Sequence, residues 1–293
     1  MPFLPEYVCI LVIQVFIFGI FAMGLDLLLG YTGLTSLGQA AYFGISSYGV
    51  AILSTRFGFS FFPILFIGVL LSTLVAALFG LLAIRAKGVY FLMLTLALSM
   101  VVWGVAWRWN SLTGGDNGIV GIPHPRLGLG IDFGNFVNLF YLALVFFVLC
   151  LVSLYVLVHS PFGRSLVGIR ECEDRMRMLG YNVWLHKYLA FIISGTFAGI
   201  AGVLWAYNKC MVTPDNLNIE TSMEALLMVA LGGQATLVGA ALGAGVIVFL
   251  KNYVSIYYSG WPYILGGLFI VTILYLPEGL MGITRRFRRR PPG

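Results

Sequence analysis

The stretch GYTGLTSLGQAAYFGISSYGVAIL, residues 30–53, decides how the chain is read. It follows the apolar run 8–29 with no polar linker between them. Five glycines (Gly30, Gly33, Gly38, Gly44 and Gly49) and the polar group Thr32, Thr35, Ser36 and Gln39 interrupt what would otherwise be a plain second apolar helix. Two physical readings fit such a break. Small residues let helix backbones approach closely in lipid, which makes a packing seam. Irregular backbone at membrane depth is also tolerated where protein covers it or where it lines a water-filled cavity.

Both readings presuppose a bilayer, and composition supplies one. Of the 293 residues, 60% are hydrophobic and only 10% charged, with a mean hydropathy of +0.97. A soluble domain is about half apolar and about a quarter charged. This chain lacks the polar surface to cover a water-exposed core, so lipid is its solvent. The net charge of +6 does not indicate nucleic acid, because the basic residues are dispersed among short connectors and the tail Arg285–Arg290. That is the membrane pattern, and the tail suits anionic lipid headgroups.

A span needs roughly 20 apolar residues. Candidates are 8–29, 37–55, 61–84, 88–109, 138–158, 187–207 and 262–276. The region 222–250 carries Gly232-Gly233 in its middle and reads as two short or broken segments joined by a tight turn. The expected fold is all-α, a single polytopic membrane domain over 1–293 with about 8–10 transmembrane helices, some short or broken. The start, MPFLPEYVC, has no Lys or Arg, so the first apolar run is expected to remain as a span. With nine crossings and a cytoplasmic tail, twelve Lys and Arg fall inside and five outside, which puts the N-terminus outside.

Two connectors are long. The outer one, about 110–137, contains the turn-rich Thr113–Gly118 and is the natural contact for an external protein. The cytoplasmic one holds seven charged residues between Arg164 and Arg177. Ser160-Pro161 predicts a helix start and Gly180 its stop, giving one helix over about 161–180. Leu166, Ile169, Cys172, Met176 and Leu179 form an apolar stripe. Opposite charges recur at i,i+4: Arg170 with Asp174, Glu171 with Arg175, and Glu173 with Arg177. Such a helix could rest on headgroups, but its three acids would be repelled by anionic lipid. A groove on a soluble protein partner suits both charge signs better.

The run GRSLVGIRECEDRMRMLGYNVWLHKYLAFIISGTFAGIAGVLWA, residues 163–206, resembles the coupling region of branched-chain amino acid (Liv-type) ABC importer permeases, in particular their M-type subunit. The resemblance rests on Gly163, Arg164, Ile169, Arg170, Glu171, Glu173, Leu179 and Gly180, followed by Lys187, Ala190, Phe191, Ser194 and the small-residue run Ala198 to Gly202. Arg175-Met176 stands where the family usually has Ala-Ala. The opening stretch, TGGDNGIVGIP, LLMVALGGQATLVGAALGA and LPEGLMG are similar to further family segments, in order, over almost the whole chain.

The resemblance implies a transport subunit without cofactor or catalytic residues, working by alternating access in a bacterial or archaeal plasma (inner) membrane. It implies a second permease subunit, in a heterodimer, and two cytoplasmic ATP-binding subunits. A periplasmic or lipid-anchored solute-binding protein would deliver substrate. ATPase coupling is assigned to Gly163, Arg164, Arg170, Glu171, Glu173, Asp174 and Gly180. The translocation path is assigned to Thr32, Thr35, Ser36, Gln39 and Gln234, the last because Gly38-Gln39-Ala40 recurs as Gly233-Gln234-Ala235. The resemblance implies that ATP hydrolysis belongs to the partners, and consistent with that the chain has no phosphate-loop motif of its own. Branched-chain or related small amino acids are the expected cargo, with urea or small amides as the alternative within the family.

A stand-alone secondary transporter would explain the broken helices but not the mixed-charge connector. An intramembrane enzyme would need an embedded nucleophile and base, and no such arrangement lies in the spans. Asp26 reads either as a functional intramembrane acid or as a hydrated residue at the cytoplasmic interface. Glu224, three residues after Thr221, has capping-box spacing, with substrate contact as the alternative. The four cysteines and three histidines share no metal-ligand spacing, and no metal site is assigned.

Overall fold

The computed structural model describes residues 6–125 and 136–257, with 263, 266, 267, 270 and 279–281. The span expected at 262–276 and the basic tail lie almost entirely outside the described residues.

The chain is an all-α polytopic membrane protein. Helix α1 (Glu6–Asp26) runs directly into a π turn, Leu27–Thr32. Gly33 ends it in the left-handed region (φ 73°), returning its N–H to the Leu28 carbonyl. After an extended link come α2 (Gln39–Arg56), α3 (Phe61–Ala83) and α4 (Val89–Arg108). The loop after α4, the one expected outside, holds a short α5 (Asn110–Thr113) and strand β1 (Ile119–Val120), and α6 (Phe136–His159) returns to the end of the bundle where α1 finishes, the one expected at the cytoplasm. There lie α7 (Pro161–Glu171) and α8 (Glu173–Met178). Helix α9 (Val183–Lys209) leads to strand β2 (Met211–Val212), then α10 (Ile219–Gly232) and α11 (Leu237–Tyr257). The antiparallel pair β1–β2 pins the outer loop to the end of α9.

Among the described residues, six helices are long and apolar enough to cross a membrane, α1 with its π turn being the longest but one. Helices α2 and α10 lie among them and are shorter or less apolar. The core forms around α9, whose small residues admit three neighbours. The Ser194 hydroxyl donates to the Gly24 carbonyl at 2.6 Å, Ser47 to Gly202 at 2.8 Å, and Ser72 to Gly195 at 2.9 Å. A Cβ on Gly202 would strike the Phe43 carbonyl and the Ser46 hydroxyl. Lipid provides no hydrophobic drive between helices, so close contact and interhelical hydrogen bonds of this kind hold the bundle.

These contacts also give direction. Residues 39 and 47 of α2 meet 194 and 202 of α9, so the two run parallel. Helix α1 runs opposite to α9, with Gly24 at Ser194 and Phe18 at Trp205. Helix α10 begins beside Ala40 and Gly44 at mid-depth, and α11 returns antiparallel to it, Gly243 lying against Met228.

Three local expectations are corrected. The connector 161–180 is two helices, because Cys172 is extended (φ −156°, ψ 99°) and breaks the rod. Arg170–Asp174 and Glu171–Arg175 therefore straddle a bend and form no ion pair among the described residues, whereas Glu173–Arg177 closes at 2.6 Å. Thr221 and Glu224 do not form a capping box: α10 starts two residues before Thr221, and the Asn218 side chain caps it by accepting from the Ile219 N–H at 2.7 Å. Of the two readings open for Asp26, hydration at the interface is excluded by its full burial. The 222–250 region does break, yet its second half, α11, is 21 residues long rather than short.

Candidate translocation and coupling sites

Where α1 finishes, three breaks in the helices converge. Asp26 Oδ1 accepts a hydrogen bond from the Ala235 N–H at 2.8 Å, and the Tyr31 hydroxyl donates to the Ala235 carbonyl at 3.1 Å. Ala235 has a positive φ of 58° and bridges α10 and α11. Its peptide is thus held at both poles by the π turn of α1. Gly30 makes this approach possible, since a Cβ there would meet the Asp26 carboxylate and the Ala235 backbone. From α7, the Arg170 guanidinium donates to the Gly30 carbonyl and its stem passes beside Gly33. A π turn leaves carbonyls without their usual helical donors, and Arg170 serves one of them.

The other residues assigned to coupling lie on α7, α8 and the turns that flank them. Gly163 sits in the tight turn from α6, where a Cβ would meet the Val158 backbone, and Ser160 caps α7 by accepting from its N–H at 3.4 Å. Arg164 reaches the His159 carbonyl at 3.4 Å. Glu173 accepts from Arg177 at 2.6 Å and from Lys187 at 2.8 Å. Partial burial raises its carboxyl pKa, but the hydrogen bond and charge of Lys187, with Arg177 and Lys87, outweigh it and hold the group below the ordinary glutamate range. Asp174 stands 3.8 Å from Arg177, and Glu171 is exposed. Gly180 terminates α8 at φ 85°. Just before it, Met178 (89%) and Leu179 (66%) are exposed apolar side chains beside the charges.

At mid-depth the N-termini of α2 and α10 meet. The Ala40 N–H donates to the Ser222 hydroxyl at 2.9 Å, and the Gln39 amide donates to Ser194 at 2.7 Å. The Leu37 N–H donates to Thr95 at 3.2 Å, the Gly38 N–H to Ser36 at 3.2 Å, and the Thr32 hydroxyl to the Leu28 carbonyl at 2.6 Å. Thr32, Ser36 and Gln39 are therefore buried within one strip, with Thr35 half-buried beside it. The Gln39 side-chain oxygen is buried and accepts nothing among the described residues. Gln234 stands apart, exposed on the α10–α11 turn next to the clamped Ala235.

Toward the opposite end of the bundle, two adjoining cavities of about 220 and 180 Å³ share Phe18, Trp205, Glu224 and Lys251. Glu224 is buried and paired with Lys251 at 2.6 Å. Lys209 lies over the Trp205 ring, 5.2 Å from its centroid. Sequence reasoning passed over this cluster. The available signal was Glu224 and Lys251, opposite charges in apolar segments, where ionisable residues are costly and seek each other.

A family model described as "Branched-chain amino acid transport system / permease component" matches residues 7–276. The chain belongs to this permease family. It is 31% identical over 292 residues to the high-affinity branched-chain amino acid transport system permease protein LivM of Salmonella typhimurium, covering 92% of this chain and 68% of that one. The same figures hold for LivM of Escherichia coli. A probable LivM of Methanocaldococcus jannaschii is 26% identical, with 89% of each chain covered. No solved structure matches the chain. The protein is thus a multi-pass transport permease subunit.

Proposed function

We propose that this permease forms, with a second permease subunit, the path of an ATP-driven importer of branched-chain or related small amino acids in a prokaryotic plasma membrane. The observation carrying this reading is the family match over 7–276, joined to a cytoplasmic connector that hooks the broken end of α1. Two ATP-binding subunits dock on α7 and α8. The exposed Met178 and Leu179 beside Glu173, Asp174, Arg175 and Arg177 form a surface that a protein groove satisfies better than lipid headgroups do. Closure of the ATPases pushes on 163–180 and moves α6 and α9. Arg170 carries that displacement to Gly30, and the Ala235 clamp passes it to the α10–α11 turn.

Thr32, Thr35, Ser36 and Gln39 then move as one strip between open and closed arrangements of the path, and Gln234 marks its inner margin. A solute-binding protein delivers cargo at the outer face. The direct test is purification of tagged chain from its native host in mild detergent. A co-purifying ATPase subunit and second permease are expected, and their loss on replacing 173–180 with a Gly-Ser linker. Isolation of the chain alone, with ion-gradient-driven uptake, would overturn the proposal.

A further inference from the structure

The two outer cavities are unlike each other in charge. One faces Lys209 and Lys251 against the single acid Glu224. The other faces Asp215, Glu220 and Glu224 against the single cation Lys251. The Glu224–Lys251 pair divides them, and Phe18 and Trp205 wall both. We propose that the two cavities together form an outer receiving site for a small zwitterion. Its carboxylate lies at Lys209 and Lys251, its ammonium at Asp215 and Glu220, and its apolar side chain against Phe18 and Trp205. The assignment rests on the amino-acid import reading above and names the residues that would execute it.

Three physical points carry it. First, a ligand with one net charge would meet repulsion in one half, whereas a zwitterion presents each end to its opposite; specificity arises from such built-in mismatches as much as from attraction. Second, each cavity is smaller than the roughly 300–1,000 Å³ of drug-sized ligand sites, which suits a solute of few heavy atoms. Third, the Glu224 carboxylate is buried while Lys251 stays partly exposed (38%), and a carboxylate taken out of water is costly unless it is paired. Glu224 and Lys251 sit in helices that otherwise bury apolar residues, and ionisable groups there mark solute paths. The aromatic walls supply the apolar surface that small-molecule sites use for affinity.

The test uses the whole importer (both permeases, the ATPases and the binding protein) in proteoliposomes, with L-leucine as probe. Removing Lys251 alone leaves Glu224 as an uncompensated buried charge, so the paired variant Glu224→Gln/Lys251→Gln is used, with Lys209→Gln and Asp215→Asn/Glu220→Gln alongside. Each is expected to lower L-leucine uptake at least ~10-fold, which is about 1.4 kcal/mol, while ATP hydrolysis stimulated by the binding protein persists. In a background without native cysteines, Asn216→Cys is labelled from outside with a thiol reagent. Labelling should slow with L-leucine, and not with isoamylamine or 4-methylpentanoate, each of which lacks one charged end. Unchanged uptake in all three variants, or equal protection by the amine or the acid, overturns the receiving site and leaves the import reading in place. No leucine uptake by the unmodified complex overturns that reading, and this site with it.

Discussion

Asp26 and Ala235, 209 positions apart, are joined by one hydrogen bond of 2.8 Å from the Ala235 N–H to the Asp26 carboxylate. The bond ties the unwound end of the first helix to the turn between the last two described helices. Together with Arg170 on the Gly30 carbonyl, it makes the cytoplasmic junction a single body of three elements.

The clamp predicts a graded response to substitution. Asp26→Ala leaves the Ala235 N–H without an acceptor, at a cost of roughly 1–3 kcal/mol for an orphaned buried group. Asp26→Asn keeps an oxygen there and should lose less. Thermal unfolding of the detergent-purified protein should rank wild type above Asn and Asn above Ala. Equal midpoints for Asn and Ala would remove the hydrogen bond from the account.

Glycine substitutions should separate close approach from mere flexibility. Gly30→Ala puts a methyl onto the Asp26 carboxylate and the Ala235 backbone, so transport and stability should both fall. Gly104→Ala in α4 meets nothing within 4 Å and should be neutral or stabilising by up to about 1 kcal/mol. Membrane abundance and unfolding temperature of the two variants check the contrast.

The legible part of this fold was what periodicity and charge can encode. Apolar runs located α1, α3, α4, α6 and α9, and Ser160-Pro161 and Gly180 marked the ends of the connector. Turn residues exposed the break at Gly232-Gly233. Illegible were features set by contacts distant in sequence. The extended Cys172 follows no local breaker residue, and the charges around it have the i,i+4 spacing of an unbroken helix. The capping-box spacing at Thr221 was outcompeted by Asn218, which begins α10 earlier. Asp26 stayed open between two readings in the sequence because its partner lies 209 residues away. The outer charge cluster draws on α1, α9, α10 and α11 together, so no single segment displays it.

The Glu173 network predicts a pH dependence with a definite sign. Its folded pKa lies below the ordinary value, so its contribution to order is fully present above that ordinary value, about 4.3. It is lost as pH falls through the lower folded value, when Glu173 takes up a proton and releases Lys187 and Arg177. Hydrogen exchange across 173–187 should therefore accelerate below about pH 4. Glu173→Gln should exchange fast already at neutral pH and show a weaker pH response. An unchanged profile in the variant would assign the protection elsewhere.

Coupling substitutions should spare assembly and impair transport. Glu171→Ala alters an exposed face of α7, and Gly180→Ala strains the left-handed stop of α8. Arg170→Ala releases the Gly30 carbonyl. All three are expected to reach the membrane at wild-type levels while uptake drops at least ~10-fold relative to ATP hydrolysed, a loss of about 1.4 kcal/mol in coupling. Normal uptake in all three would detach these residues from energy transfer.

The most direct measurement is L-leucine accumulation by proteoliposomes holding the purified complex, with and without ATP at the cytoplasmic face. Uptake that requires ATP, the ATPase subunits and the binding protein together is the predicted result. Equal uptake by this chain alone, driven by an ion gradient, would contradict it.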